Sequence, residues 1–388
     1  PTVARAKLAS RLGQLDLGDD AVAVRDALEA VLAIGDDRER PREILFEAWR
    51  RYLAAMSRIA PLVLIVEDLH WADDSVQAFL DFLARWGEGP MVMLCLGRHE
   101  LLEQHPSWGG GLRNASSIEL EPLARDESEA LMAGLLDGGV PPTLGERITD
   151  LTEGNPLFAE EMVRMLVDRG TIRFSDGRWQ LARPVDEVEI PGSVQAVLAA
   201  RLDALPENEK RIAQDAAVIG RVFWDQLVAH ITRDDLGKTA ERIRRLRVKD
   251  LIVPREPSSL AGAAEFGFRH VLIRDVAYES LPKDDRARLH RDVARWVQDS
   301  LPDRAAELAE LVAGQLITAV RYEEELGLRP DAGLAALREE TLATSLSAAR
   351  RAASLGQLRS ACRWMRTAAE LARALGRPAR EIAAWSIG

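Results

Sequence analysis

The sequence predicts an α/β segment built on a parallel sheet, followed by a long all-α part. Three observations carry this. Two short apolar runs, Leu62-Val-Leu-Ile-Val66 and Met91-Val-Met-Leu-Cys-Leu96, flank one helix-length pattern, the strand–helix–strand rhythm of a parallel crossover. Ala and Leu are abundant while aromatic residues make up only 5%, a balance that favours helices over sandwiches and barrels. Beyond about residue 123, apolar positions recur mainly at helical spacing, interrupted by two short hairpin-like pieces.

Before the first run, residues 21–33 and 43–58 carry apolar residues at three- and four-residue spacing, with a break at Gly35-Asp-Asp37. The first run itself, rich in Val, Ile and Leu after Pro61, reads as a strand buried on both faces. Asp73 and Asp74 suit a helix start, which then runs to about Trp86. The second run follows Gly87-Glu-Gly-Pro90, and Ser116–Leu120 is expected as a third strand. Helices are expected at 126–136 and 144–151. Ser175-Asp-Gly177 signals a hairpin, and 184–191 reads as a linker. Helical patterns return at 194–205, 206–219, 223–231 and 235–250. Leu251–Val253 and Glu265–Phe268 add two β-like pieces, as in a winged-helix module. From Val271 onward the expected helices are 271–281, 284–300, 303–326, 331–354 and 357–375. The last two are expected to pair through Ala349, Ala353, Ala361 and Ala368.

The first strand ends in two adjacent carboxylates, Glu67 and Asp68. Open parallel sheets bind ligands at the carboxyl ends of their strands. The two acids therefore stand where Mg²⁺ and a phosphoryl group would lie. The pattern looks like the Walker B element of a P-loop nucleotidase. By position Glu67 takes the metal role, usually through water, and Asp68 orients the attacking water. A buried strand ending in two solvated acids is the plain alternative. Arg98 closes the second strand at the same sheet edge, either to read a terminal phosphate or as an ordinary surface arginine. Glu153-Gly154-Asn155-Pro156 combines a Gly helix stop, an Asn N-cap and a first-turn Pro, an efficient turn between two helices.

Several stretches together resemble one family: Glu67-Asp-Leu-His-Trp-Ala-Asp73, Glu153-Gly-Asn-Pro-Leu-Phe-Ala-Glu-Glu161, Ala200-Arg-Leu-Asp-Ala-Leu205, Ala216-Ala-Val-Ile-Gly-Arg221, Phe268–Leu281 and Arg321–Gly327. They resemble bacterial signal-transduction ATPases of the STAND group, AAA-like P-loop proteins. The variant they resemble most is the ATPase–helical region downstream of class III adenylate/guanylate cyclase domains, and similar regions occur in large LuxR-type regulators. The resemblance implies a partial P-loop parallel-sheet core over 1–122, a helical lid over 123–190, a winged helix over 191–270 and a TPR-like α-solenoid over 271–388. A plain helical bundle stays open for the last part. It implies ATP/ADP and Mg²⁺ as cofactors, with Glu67 and Asp68 as the metal and water acids and Arg98 as the sensor. Gly154, Asn155 and Pro156 become the lid motif near the nucleotide base. His270 becomes a winged-helix histidine that reaches a phosphate, against the plainer reading of a core histidine. Asp74 and His99 depart from the family, which usually has Pro at both places.

No G-x-x-x-x-G-K-[ST] occurs in the sequence. Gly237-Lys238-Thr239 has only its tail, inside a helical pattern and with no strand before it, and reads as coincidence. With no initiator Met before Pro1-Thr2, the chain reads as an excised piece of something longer. The phosphate-binding loop and any output domain are then expected outside it. ATPase activity is expected only with that loop present, and tight Mg-ATP binding is not expected of the chain as given.

The 388 residues allow two to four domains. A net charge of −11 argues against a protein-wide nucleic-acid surface. The basic stretch Arg242, Arg244, Arg245, Arg247, Lys249 is the best support for DNA contact; Asp234, Asp235 and Glu241 stand against it. Two distant cysteines, Cys95 and Cys362, suit a reducing, cytoplasmic compartment, and no apolar run approaches a membrane span. The preferred reading is an ATP-dependent regulatory module whose C-terminal helices receive a protein partner or signal. The alternatives are a LuxR-type regulator segment touching DNA and a non-catalytic adaptor.

Overall fold

The computed structural model describes residues 2–32, 34, 41–112, 114–136, 139–175, 178–182, 190–327 and 332–377. The break at Gly35–Asp37, the turn centre at Asp176-Gly177 and most of the 184–191 linker lie outside the described residues. The described residues are mostly helical with small sheets. They divide into two compact units, 1–118 with 297–388, and 119–296. Among them, no helix is long and apolar enough to cross a membrane.

The first unit opens with α1 (Thr2–Leu12), α2 (Ala21–Val31) and α3 (Arg42–Ile59). Their apolar stripes meet through Leu12, Val24, Leu28, Leu45 and Ala48. α3 feeds β1 (Leu62–Val66); α4 (Asp74–Trp86), β2 (Met91–Cys95) and the short α5 (Glu100–Gln104) follow. Asp73 caps α4, one carboxylate oxygen accepting from the N–H groups of Ser75 and Val76 at 2.9 Å, which satisfies donors a helix start leaves open. β1 and β2 pair in parallel, Leu62 opposite Met91 and Val66 opposite Cys95.

Burial on both faces of β1 is not observed. Leu64, Val66, Met93 and Cys95 pack on Leu69, Leu80 and Leu101. On the opposite face Val63 and Ile65 are each 57% exposed, and Val92 is 55% exposed. Continuous apolar runs do not report which face is covered, and here α4 and the loop before it cover one. Ser116–Leu120 forms no strand; Ile118 and Leu120 are exposed. The stretch has no paired strand beside it, and isolated strands are not stable.

The second unit begins with α6 (Arg125–Leu135), α7 (Pro142–Thr152) and α8 (Pro156–Asp168). Their core is Met132, Leu144, Ile148, Met162, Met165 and Leu166. β3 (Ile172–Ser175) and β4 (Arg178–Leu181) form an antiparallel pair. Then come α9 (Val194–Asp203), α10 (Glu207–Ile219), β5 (Val222–Trp224), α11 (Asp225–Thr232), α12 (Leu236–Val248), β6 (Ile252–Arg255), β7 (Glu265–Phe268), α13 (Val271–Glu279) and α14 (Lys283–Ser300). The three strands make one antiparallel sheet in the order β5-β7-β6. β5 was expected as the start of a helix. Instead Phe223, 1% exposed, inserts into the core and Asp225 opens α11, so the helix begins two residues later than expected.

Asp215 on α10 is fully buried. Burial pushes its carboxyl up to about 6, against the opposing pull of Arg211 and Arg288 and with Asp285 reinforcing it. A carboxyl raised in the folded state favours folding where it is protonated, so its contribution fades as pH rises through about 6. Relative to an Asp215→Asn variant, the native protein should gain on the order of 2 kcal/mol between pH 7 and pH 4. Parallel pH profiles of denaturant midpoints for the two proteins would count against this.

The chain returns to the first unit from Val297, within α14, and continues through a 3-10 turn at Pro302–Arg304, then α15 (Ala309–Glu325), α16 (Ala332–Ser354) and α17 (Leu358–Ala374). The helix expected from 303 therefore starts at Ala309. A three-residue turn folds α17 back along α16. Ala348, Ala349 and Trp364 pack with Ala309 and Ala313 of α15. Of the alanines expected at the α16–α17 contact, Ala349, Ala361 and Ala368 are buried, but Ala353 is only half-buried and Ala352 is wholly buried instead. One residue is about 100° of helix rotation, a distinction spacing alone does not make when all four positions are Ala.

Candidate functional site

The acids and the expected sensor come together. Glu67 and Asp68 directly follow β1, and Arg98 lies three residues beyond the end of β2. The ladder continues past both strands. Leu96 N–H donates to the Val66 carbonyl at 2.8 Å, and Leu69 N–H donates to the Leu96 carbonyl at 2.9 Å. The Glu67–Asp68 loop is thus tied alongside Leu96–Arg98 at one sheet edge. Asp68 adopts a left-handed backbone, φ 56° and ψ 35°, which residues other than Gly enter at a cost and which concentrates at functional sites. The loop turns through a 3-10 segment at Leu69–Trp71, whose Leu69 is fully buried and anchors it.

Two carboxylates at a strand end suit a hard cation that keeps most of its waters, which describes Mg²⁺. Among the described residues no group of three or more His, Cys, Asp or Glu could hold a metal by itself. A cleft of about 1060 Å³ in this unit is lined by Arg42, Asp73, Asp74, Trp108 and Arg359, not by Glu67, Asp68 or Arg98. The acids stand on the sheet edge, outside that cleft.

Gly154, Asn155, Pro156 and His270 belong to the second unit. Gly154 has φ +76°, and a Cβ there would stand 2.4 Å from the Leu123 carbonyl oxygen; only Gly permits this approach. Leu123 N–H in turn donates to the Gly154 carbonyl at 2.9 Å. The Asn155 side chain accepts from Phe158 N–H at 3.1 Å, and Pro156 is the first residue of α8. Each motif residue therefore has a local structural task, and together they fix where α8 begins.

His270 precedes α13 and is half-buried, its Nε2 buried and without a hydrogen-bond partner among the described residues. Burial pushes the imidazole below its ordinary value. Glu161 and Glu160 pull it up, and Arg269 and Arg164 push it down. The structure thus brings His270 near α8, the helix that Gly154–Pro156 start.

Sequence reasoning missed the group behind this. Arg201 on α9 is 3% exposed and Glu161 on α8 is 0% exposed. They form an ion pair, and Arg201 also donates to Asp168 at 3.2 Å and to the Lys249 carbonyl at 2.7 Å. The signal was present: Arg201 sits on the apolar face of α9 with Val197, Leu198 and Leu202, and an arginine there must find a buried partner.

Four of the five cations of the basic stretch face carboxylates. Arg242 pairs with Asp234, Arg244 and Arg245 with Glu241, and Lys249 with Glu209. Hydrogen bonds from Arg244 and Arg245 hold Glu241 down to about 2.

Residues 2–94 match the family model described as "AAA ATPase domain". Such a domain implies nucleotide and Mg²⁺ use in general, and the match agrees with the STAND-type, AAA-like ATPase kinship that the motifs imply. Residues 124–180 match a "Domain of unknown function (DUF8739)". The chain is 26% identical over 312 residues to the "Uncharacterized protein R02095" of Rhizobium meliloti (strain 1021), covering 72% of this chain and 28% of that protein. It thus spans less than a third of that relative's length. It is also similar to a solved STAND protein with a tetratricopeptide repeat sensor, PH0952 from Pyrococcus horikoshii, at 14% identity and a TM-score of 0.43, covering 93% of this chain and 58% of that one.

Proposed function

We propose that the chain is the regulatory region of a STAND-type nucleotide switch. The observation that supports it best is the shared edge of β1 and β2, where Glu67 and Asp68, inside the stretch that matches an AAA ATPase domain, share an edge with Arg98 just beyond that stretch. Mg-ATP bound at that edge would be held by Glu67 through the metal's waters. Bound Mg²⁺ supplies charge neutralisation of the phosphates. Asp68 would orient the attacking water, and Arg98 would contact the terminal phosphate. Gly154–Pro156 would act as the lid, and β5–β7 with α9–α12 would act as a winged helix carrying His270. α15–α17 would be TPR-like and receive a protein partner or signal. A cyclase or another output domain would be attached outside the chain, in the cytoplasm.

DNA contact is the weaker reading, because most of the arginines that would meet phosphates already face carboxylates. The adaptor reading has one specific observation in its favour, the lack of any G-x-x-x-x-G-K-[ST] in the sequence.

The experiment is Mg-ATP calorimetry on a protein that joins this chain to a phosphate-binding loop. Glu67→Ala should remove the Mg²⁺-dependent part of the affinity and leave the Mg²⁺-independent part. Equal affinities for both proteins at every Mg²⁺ concentration would refute the metal role.

A further inference from the structure

The loop that carries the acids is bonded to the start of α4. Trp71 N–H donates to the Asp68 carbonyl at 2.9 Å, and Ala72 N–H donates to the Leu69 carbonyl at 3.1 Å. The Ala72 carbonyl in turn accepts from Gln77 Nε2 at 3.2 Å, and Gln77 N–H donates to the Asp73 carbonyl at 3.1 Å. Gln77 is buried, which shields its bonds from competing water. With the Asp73 cap, the loop and the first turn of α4 form one hydrogen-bonded piece. Whatever holds that turn therefore holds the loop.

α17 reaches that turn. Arg359, in the first turn of α17, pairs with Asp74, the first residue of α4. Both residues line the cleft of about 1060 Å³, with Gln77 and Asp81 on the α4 side and Leu358 on the α17 side, so the pair bridges an open gap. α17 has a firm base behind it. The turn that precedes it is seated on the helices ahead of β1. Leu355 packs on the core of α1–α3. Arg351 donates at 2.6 Å to the Val31 carbonyl, one of those left open at the end of α2. Gly356 has φ +69°, and a Cβ there would stand 3.2 Å from the Arg42 Cβ, a close approach that favours Gly. The Arg359 side chain is 85% exposed, and so exposed a pair adds little to stability. Its effect is on where the first turn of α4 sits.

We propose that α16 and α17 position the acid loop through this bridge: seated on α2 and α3, they carry Arg359, which holds Asp74 and with it the first turn of α4 and the loop of Glu67 and Asp68. Arg359 is thus a positioning residue. A protein partner that draws α15–α17 off their seat loosens the acids. That loosened acids slow hydrolysis rests on the nucleotide-switch reading; the tie itself does not.

The test is hydrogen exchange of the full chain. Arg359→Ala removes an exposed side chain and leaves the fold intact. It should speed exchange of the Ala72, Ser75, Val76 and Gln77 amides about threefold, the scale of one exposed ion pair, and leave α9 and α10 unchanged. The same substitution should add nothing once Asp74→Asn has removed the partner. Leu355→Ala, which thins the seat, should speed the same amides. No change in Arg359→Ala, an equal change with Asp74→Asn already present, or no response to Leu355→Ala overturns the proposal. In a protein that also carries the phosphate-binding loop, Arg359→Ala should lower kcat for ATP about threefold and leave KM unchanged. Native turnover in Arg359→Ala, where Asp68→Asn slows it, overturns the effect on the acids and leaves the nucleotide reading standing. Native turnover in both variants ends the nucleotide reading instead, and exchange alone then decides the tie.

Discussion

In a protein that joins this chain to a phosphate-binding loop, replacing Asp68 by Asn is expected to slow ATP hydrolysis by about 10²- to 10⁴-fold, the range for losing a positioned proton acceptor, while leaving ATP bound. The substitution tests charge with little change of shape. Asp68 has φ 56°, and Asn enters the left-handed region about as readily as Asp. The loop should therefore keep its bonds from Leu69 to Leu96 and from Leu96 to Val66. Asp68→Ala would mix loss of charge with backbone strain and is the poorer variant. Phosphate release under single turnover is the measurement. A rate within a few-fold of the native one would take Asp68 out of the chemistry and leave it as a turn residue. The contrast with Glu67→Ala matters, because one variant should lose turnover and the other Mg²⁺-dependent affinity.

Replacing Arg201 by Met is expected to cost about 3–5 kcal/mol in the second unit, the range for removing one partner of a buried ion pair. Met fills much of the volume and supplies no charge. Glu161, fully buried, would be left without its counter-ion, and Asp168 and the Lys249 carbonyl would each lose a donor. The loss should shrink at lower pH, where the stranded carboxyl can protonate. Adding Glu161→Leu should recover much of it, since a buried pair replaced by apolar side chains is often neutral. The two units need not unfold together, so hydrogen exchange of α8 and α9 is the appropriate readout. If the single variant costs no more than Arg244→Met, an exposed pair on α12, the buried pair is not the anchor described here.

Much of the helical part was legible because its signals are local. Asp73 and Asn155 cap the helices they precede, and α4, α8, α16 and α17 begin within a residue of the expected places. The parallel pairing of β1 with β2 was legible too, because a strand–helix–strand spacing leaves few topologies. The errors share a cause. Ser116–Leu120, β5 and the outer face of β1 all depend on what lies beside a segment, and local composition does not carry that. The Ala353-for-Ala352 exchange is the same failure at the scale of one residue.

For the site, the residues with chemistry in them were visible as types in sequence: two carboxylates after an apolar run, an arginine after the next, a Gly-Asn-Pro turn. Their sequence order determined that Glu67, Asp68 and Arg98 could share an edge, since parallel strands put their ends on the same side. Only the tertiary structure decided that His270 lies among Glu160, Glu161, Arg164 and Arg269, and that Arg201 clamps Glu161. These residues are separated by tens of positions along the chain, and charge in a sequence does not announce whether water or another side chain will solvate it. Burial answers that question, and burial is a property of the packed unit: at 0% exposure Glu161 must have Arg201, whereas the same two letters on a surface would require nothing of each other.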